Sequence, residues 1–235
     1  MLLDRLSGPV RGVRIVRNDP QPSDPSEIGA QIIPHRRLFA DEVATILNDL
    51  GDVTGTIVTS ALNAHEQQTF RDMGFTDREH LYLFDHSLGN RPTRTGGEHR
   101  LRNGRRTDLN HVLTIDKLSF EKFWMLDRES LHAARKATPV HRYRVATLGR
   151  EVVGYAITGR AGRSSFLQRL GVHPSARGRG IGTDLVRDGM EWAFREGATS
   201  MLVNTQTKNE RARRLYEQLG FTLSDDRLVV LEWTP

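Results

Sequence analysis

The sequence predicts an α/β (α+β) chain built from two related but unequal halves. Three observations carry that reading. The apolar run 166–172 leads through a glycine-dense turn into a long amphipathic stretch from Thr183, the order strand, turn, helix. Around it, short β-branched and aromatic runs alternate with stretches of helical period. The chain also resembles itself at an offset of 146 residues. Asn63, Gly74 and Phe75 fall on Asn209, Gly220 and Phe221, and Gly51 falls on Gly197. The helical stretch 39–50 falls on 185–196, and the strand 56–60 falls on 202–206. Pro20, Pro22 and Pro25 stand where an upstream strand and loop should be, so the match fades before residue 31. The expected organisation is a shortened first half over 1–88, a linker over 89–100 and a complete half over 101–235.

The complete half is read element by element. Residues 101–106 form a short extended start, and Thr107-Asp108 opens a helix. Helical periodicity covers 109–117 and 120–136, with Phe123, Trp124, Leu126, Leu131 and Ala134 at the apolar positions, until Pro139 ends the region. Strands over 143–148 and 152–158 are joined through Gly149-Arg150 as a hairpin, and the strand 166–172 stops at Pro174. The helix 182–196 aligns Leu185, Val186, Gly189, Met190 and Ala193 on one stripe. Gly189 in that stripe predicts close approach to a sheet, and Gly197 is the C-cap. A strand over 200–205 precedes the helix 209–218, whose stripe is Ala212, Leu215, Tyr216 and Leu219. Gly220 closes that helix, and two strands follow, around Leu223 and over 228–233.

Composition narrows the function classes. A chain of 235 residues can bury a substantial core. No apolar run approaches the ~20 residues that cross a bilayer, and Met1 to Arg5 lacks the apolar core of a signal peptide. Cysteine is absent, which removes disulfides, thiolate metal sites and cysteine nucleophiles and fits a cytoplasmic location with no membrane partner. The net charge is +5, and only four of the 34 basic residues are lysine. The cluster Arg91, Arg94, Arg100, Arg102, Arg105 and Arg106 sits among Gly, Asn and Thr with almost no aromatics. It reads as a solvated linker and not as a nucleic-acid surface, which needs stacking rings or a recognition helix. The nine histidines show no metal-ligand spacing, so no metal is expected.

The glycine turn is the chemical signal. A helix start exposes unpaired N–H donors and partial positive charge. Gly178, Gly180 and Gly182 let a phosphate reach the main chain unobstructed, and Arg177 and Arg179 add charge. Glycines alone are equally compatible with a flexible turn, and the downstream residues decide.

Two motifs stand in order. Arg177, Gly180 and Gly182 satisfy (Gln/Arg)-x-x-Gly-x-(Gly/Ala). Asn209, Ala212, Leu215, Tyr216, Gly220 and Phe221 fill every fixed position of Asn-x-x-Ala-x-x-Leu-Tyr-x-x-x-Gly-Phe. Over roughly residues 100–235 the chain resembles the GCN5-related N-acetyltransferase (GNAT) family, and the whole resembles a tandem member with a degenerate N-terminal copy. The resemblance implies a mixed twisted sheet flanked by helices and an acyl-CoA co-substrate, acetyl-CoA or another, without metal. It implies acyl transfer to a primary amine, on a small molecule, a protein N-terminus or a lysine. A non-enzymatic acyl-CoA-binding sensor is the alternative, and a homodimer stays compatible with the sequence.

Residue roles follow from the same resemblance. The pyrophosphate would rest on Arg177, Gly178, Arg179, Gly180, Ile181, Gly182 and Thr183. The pantetheine arm would lie between the strands ending at Val172 and Thr205, paired with backbone of Leu170 and Val172. The Leu170 N–H would polarise the thioester carbonyl, where negative charge develops. Tyr216 matches the general acid, its reference pKa of ~10 keeping it protonated; without the motif it reads as a core aromatic. Asn209 would bind the cofactor arm or cap its helix. The acceptor pocket would involve Phe123, Trp124 and Asn204, although the residues by themselves favour core for the two aromatics. No carboxylate is fixed as base: Gln168 and Arg169 occupy positions where some relatives carry an acid, leaving Asp127, Glu129 or water, with Asp127 otherwise a solvated helix charge. In the first half Gly180, Gly182 and Tyr216 become Pro34, Arg36 and Phe70, which removes a donor, the bare backbone and the acid.

Overall fold

The computed structural model describes residues 10–17, 28–89 and 98–234. Pro20, Pro22, Pro25, Arg91, Arg94, the signal-peptide reading of Met1 to Arg5 and most of the expected linker lie outside the described residues. In chain order the elements are β1 (Val13–Arg17), β2 (Ile28–Pro34), α1 (Ala40–Asp49), β3 (Thr56–Thr59), α2 (Ala64–Asp72), β4 (Thr76–Ser87), β5 (Arg100–Asn103), α3 (Leu109–Ser119), α4 (Arg128–Lys136), β6 (Val140–Leu148), β7 (Glu151–Ala161), β8 (Ser164–Val172), α5 (Ile181–Arg195), β9 (Ser200–Gln206), α6 (Glu210–Gln218) and β10 (Thr222–Trp233).

The chain divides into two compact units, and the division does not fall at one point. The first unit takes Met1–Leu83, Thr205–Asn209 and Ser224–Pro235; the second takes Phe84–Asn204 and Glu210–Leu223. In the first, β1 pairs antiparallel with β2, β2 parallel with β3, and β3 antiparallel with β10. Its core gathers Ile32, Val43, Ile46, Leu50, Ile57, Leu62, Phe70 and Leu231. The Asn63 side chain caps α2 by accepting from the N–H groups of His65 and Glu66, and Glu66 returns a bond to the Asn63 N–H.

In the second unit β5, β6, β7 and β8 form an antiparallel meander, with β9 parallel to β8. The two faces of β7 are covered differently. Gly154 looks toward Ile181 and Leu185 of α5, and Gly189 of α5 sits on Thr158. Tyr155 and Ile157 point the other way, into a cluster with Val112, Ile115 and Leu131 from α3 and α4. A Cβ at Gly189 would lie 2.5 Å from Thr158 Oγ1, so the close approach expected from the sequence is present. Gly189→Ala is expected to cost about 1–3 kcal/mol through forced displacement, measurable as a lower denaturation midpoint.

Two polar clusters anchor α5. Asp188, buried, accepts from Arg142 Nε at 2.6 Å and lies 3.2 Å from Arg144 Nε. Asp184, in the first turn, pairs with buried His99 at 3.1 Å.

Three sequence expectations change. The helix expected over 120–136 is interrupted: α3 ends at Ser119, a single 3₁₀ turn covers Lys122–Trp124, and α4 begins only at Arg128. Phe120 and Met125 adopt extended backbone, and Asp127 caps the new start. The two terminal strands are one, β10, and β4 was not anticipated. Among the described residues, no helix is long and apolar enough to cross a membrane.

Candidate functional site

Most of the residues singled out from the sequence lie in the second unit. β8 and β9 pair only from Ser164 to Phe166 against Ser200 to Leu202, although β8 runs on to Val172. Hydrogen-bond direction in β8 follows from one bond. His173 N–H donates to Val153 O across to β7 at 2.8 Å. Antiparallel pairs alternate between bonded and non-bonded, so Gly171 and Arg169 also bond toward β7 while Leu170 and Val172 turn away from it. The Leu170 N–H therefore faces the side of β8 on which the ladder to β9 has already ended.

A bulge accompanies this divergence. Ile157 pairs with Arg169 and Thr158 with Leu167, leaving Gln168 as the extra residue. The bulge brings both Gln168 and Arg169 to the α3/α4 face. There Arg169 Nε donates to Asp116 at 2.8 Å and its terminal nitrogen donates at 3.0 Å, with a further bond to the Trp124 carbonyl. The guanidinium lies 3.4 Å from the centre of the Phe120 ring. Asp116, wholly buried, also accepts from the Tyr155 hydroxyl and, at 2.6 Å, from the Leu126 N–H. Sequence reading missed this hub, because Asp116 and Arg169 are 53 residues apart.

The glycine turn lies between β8 and α5. Gly178 and Gly180 have φ of 78° and 74°, the left-handed region that suits glycine, and a Cβ at either would meet nothing within 4 Å. Gly180 caps α5 without a side-chain bond, and the first intrahelical bond is Asp184 N–H to Gly180 O at 3.0 Å. The N–H groups of Ile181, Gly182 and Thr183 precede it, as helix geometry requires. Gly182 lies beside α6 and β8: its Cβ would be 3.5 Å from Leu215 and 3.8 Å from Val172. Arg179 is exposed. Arg177 is half-buried, and its Nε donates to Val172 O at 3.2 Å. Burial and the neighbouring Arg211 lower the Arg177 pKa. The same Val172 oxygen accepts from Ser119 Oγ at 3.3 Å.

Tyr216, 5 % exposed, rests between Phe84 and Phe221 with ring centres 5.8 and 5.7 Å away. Burial pushes its phenol well above the ordinary value, so it stays protonated at neutral pH. Asn209 precedes α6 but falls in the segment counted with the first unit. Asn204 is exposed on β9, two residues beyond the last pair with β8.

Phe123 and Trp124 meet edge to face at 4.7 Å in the 3₁₀ turn, both half-buried, and the indole N–H is shielded without a partner. Asp127 is exposed and accepts the Ser130 N–H at 2.7 Å, so its carboxylate caps α4. Glu129 is exposed on the same helix. No cluster of metal-ligating side chains occurs among the described residues.

Residues 109–221 match the acetyltransferase (GNAT) family model. The GNAT-matching stretch holds the turn, the diverging strands, the Asp116 hub and Tyr216. Solved structures with the same fold include a GCN5-related N-acetyltransferase from Sphaerobacter thermophilus, 14% identical, covering 94% of this chain and 76% of that one with a TM-score of 0.61. Another, from Kribbella flavida, is 14% identical, with coverage of 94% and 86% and a TM-score of 0.62. A tandem GNAT protein from the clavulanic acid biosynthesis pathway, also 14% identical, gives 94% and 78% with a TM-score of 0.67. At these identities the similarity establishes a GNAT-like mixed α/β fold.

Proposed function

We propose that the chain is an acyl-CoA-dependent N-acyltransferase that moves an acetyl group from acetyl-CoA to a primary amine by direct attack. The observation that carries this reading is the Leu170 N–H, turned to the unpaired side of β8 within a GNAT-matching stretch. In this reading the pyrophosphate rests on 177–183 and the pantetheine arm follows the open edge of β8. The Leu170 N–H meets the thioester oxygen as charge builds there, and Tyr216 returns a proton to the departing thiolate. Because Arg177 and Ser119 already occupy the Val172 carbonyl, Leu170 is the freer backbone partner for the arm. Asn209 lines the cofactor arm, and Phe123, Trp124 and Asn204 line the acceptor.

The tandem reading is part of the proposal: residues 1–88 are a degenerate copy and 101–235 the working one. Supporting it, α2 and β4 coincide with α6 and β10 at an offset of 146 residues, end to end. Phe70, at the place of Tyr216, is buried at 1 % exposure, and Pro34 ends β2 at the place of Gly180.

Calorimetric titration with acetyl-CoA tests both parts. One site per chain is expected, abolished by Gly180→Pro, which demands a negative φ where the turn has 74°. Two equivalent sites per chain would refute the degenerate copy, and no binding would refute the cofactor assignment.

A further inference from the structure

On the α3/α4 face of the second unit, one imidazole has no structural occupation. His141 of β6 stands opposite Gly159 of β7, and cross-strand partners share a face. Gly159 leaves the sheet bare there: a Cβ would lie 2.2 Å from Thr138 Oγ1 and 2.8 Å from the Gln168 amide. The bulge residue Gln168 thus folds from β8 across this glycine toward β6. Thr138 gives its hydroxyl proton to Val140 O at 3.0 Å, so its oxygen is left to accept from Gln168 Nε2, 3.5 Å away. Gln168 Oε1 then has no donor. His141 is half-buried and, among the described residues, makes no hydrogen bond and no ion pair, unlike Asp116 and Asp127. Asp116 is saturated by Arg169, Tyr155 and Leu126, and Asp127 caps α4.

We propose that His141 is the general base of the acyl transfer, taking the proton of the acceptor ammonium through water; the inference rests on the function proposed above. Water is needed because His141 and Leu170 are two strands and three residues apart, about 14 Å between Cα positions at sheet spacings. The imidazole side chain and the bound thioester each span part of that distance. The imidazole suits this role because burial first, then the Arg135 guanidinium and the neighbouring His132 ring of α4, lower its pKa, so it is neutral at pH 7. The neighbours on β7 and β8, Gly159 and Gln168, carry no charge.

The step balances without a further reagent. R–NH₃⁺ gives one proton to the imidazole, and the freed nitrogen attacks the thioester carbon. The C–N bond forms and the C–S bond breaks. Tyr216 protonates the sulfur and is restored by the second proton of the nitrogen. The imidazolium returns its proton to solvent, giving amide, CoA thiol and one H⁺.

The test uses the full chain, acetyl-CoA and three acceptors, namely alaninamide, spermidine and glucosamine. For His141→Asn, acetyl-CoA affinity is expected within about twofold of wild type, with kcat lower by about 100-fold. In the wild type kcat should rise through an acidic limb centred below pH 6.5, where the imidazole loses its proton, and the variant should lack that limb. Free imidazole should restore part of the rate of His141→Ala. An NMR titration of the ligand-free chain should give the His141 ring a pKa below the ordinary value. Turnover within threefold of wild type with the limb intact, or a ring pKa above 7, would overturn the base while leaving the acyltransferase standing. Wild-type protein that binds no acetyl-CoA, or binds it and acetylates none of the three amines, would overturn both.

Discussion

Tyr216→Phe is expected to lower kcat by about 100-fold or more while acetyl-CoA affinity stays within about twofold. The change removes one oxygen and keeps the ring that packs between Phe84 and Phe221, so the fold should be unaffected. A rate loss confined to kcat would identify a group that acts only as the C–S bond breaks. The pH profile supplies a second readout. An acid with a raised pKa loses its proton only at strongly alkaline pH, so the wild-type profile should show no basic limb from Tyr216 below pH 10. Equal turnover by both proteins would reduce Tyr216 to a packing residue and return the sensor reading to the front.

Arg169→Met should be the most damaging single change to stability, by about 3–5 kcal/mol, because it strands Asp116 as a buried charge. For a chain of this size that corresponds to roughly 10 °C in Tm. The doubly changed Asp116→Asn/Arg169→Met should recover much of the loss, since both charges are then gone. The same variants should raise KM for amines more than they change acetyl-CoA affinity. Arg169 and Asp116 hold the Trp124 carbonyl and the Leu126 N–H, and so fix the turn that carries Phe123 and Trp124. A Tm within 2 °C of wild type for Arg169→Met would contradict this account of the hub.

What the sequence made legible was local. The turn 177–182 was readable because a left-handed backbone leaves glycine at fixed places, and α6 because its apolar stripe and its motif coincide. Gly189 announced its contact with Thr158 by interrupting an apolar stripe. Elements set by distant partners were not readable. The break at Phe120 to Asp127 depends on Asp116 and Arg169 gripping backbone groups of that segment, which helical periodicity cannot register. The strand β4 is mostly polar, with Leu81 and Phe84 its fully buried residues, so alternation was faint. His141 was one of nine scattered histidines until the register set it opposite Gly159. Asp127 read as a solvated charge within an unbroken helix, and only the break before it makes it the cap of α4.

The two acids on the buried side of α5 bear on how the glycine turn behaves before any ligand arrives. Asp184 and Asp188 are tied to His99, Arg142 and Arg144, one turn apart along the helix. A helix pinned at two successive turns has one rotational setting, because a twist about its axis would strand a buried carboxylate. The donors at its start accordingly keep one bearing. Their alignment is completed during folding, and under the proposed cofactor assignment an anion reaching them would meet a preorganised seat whose ordering entropy is already spent.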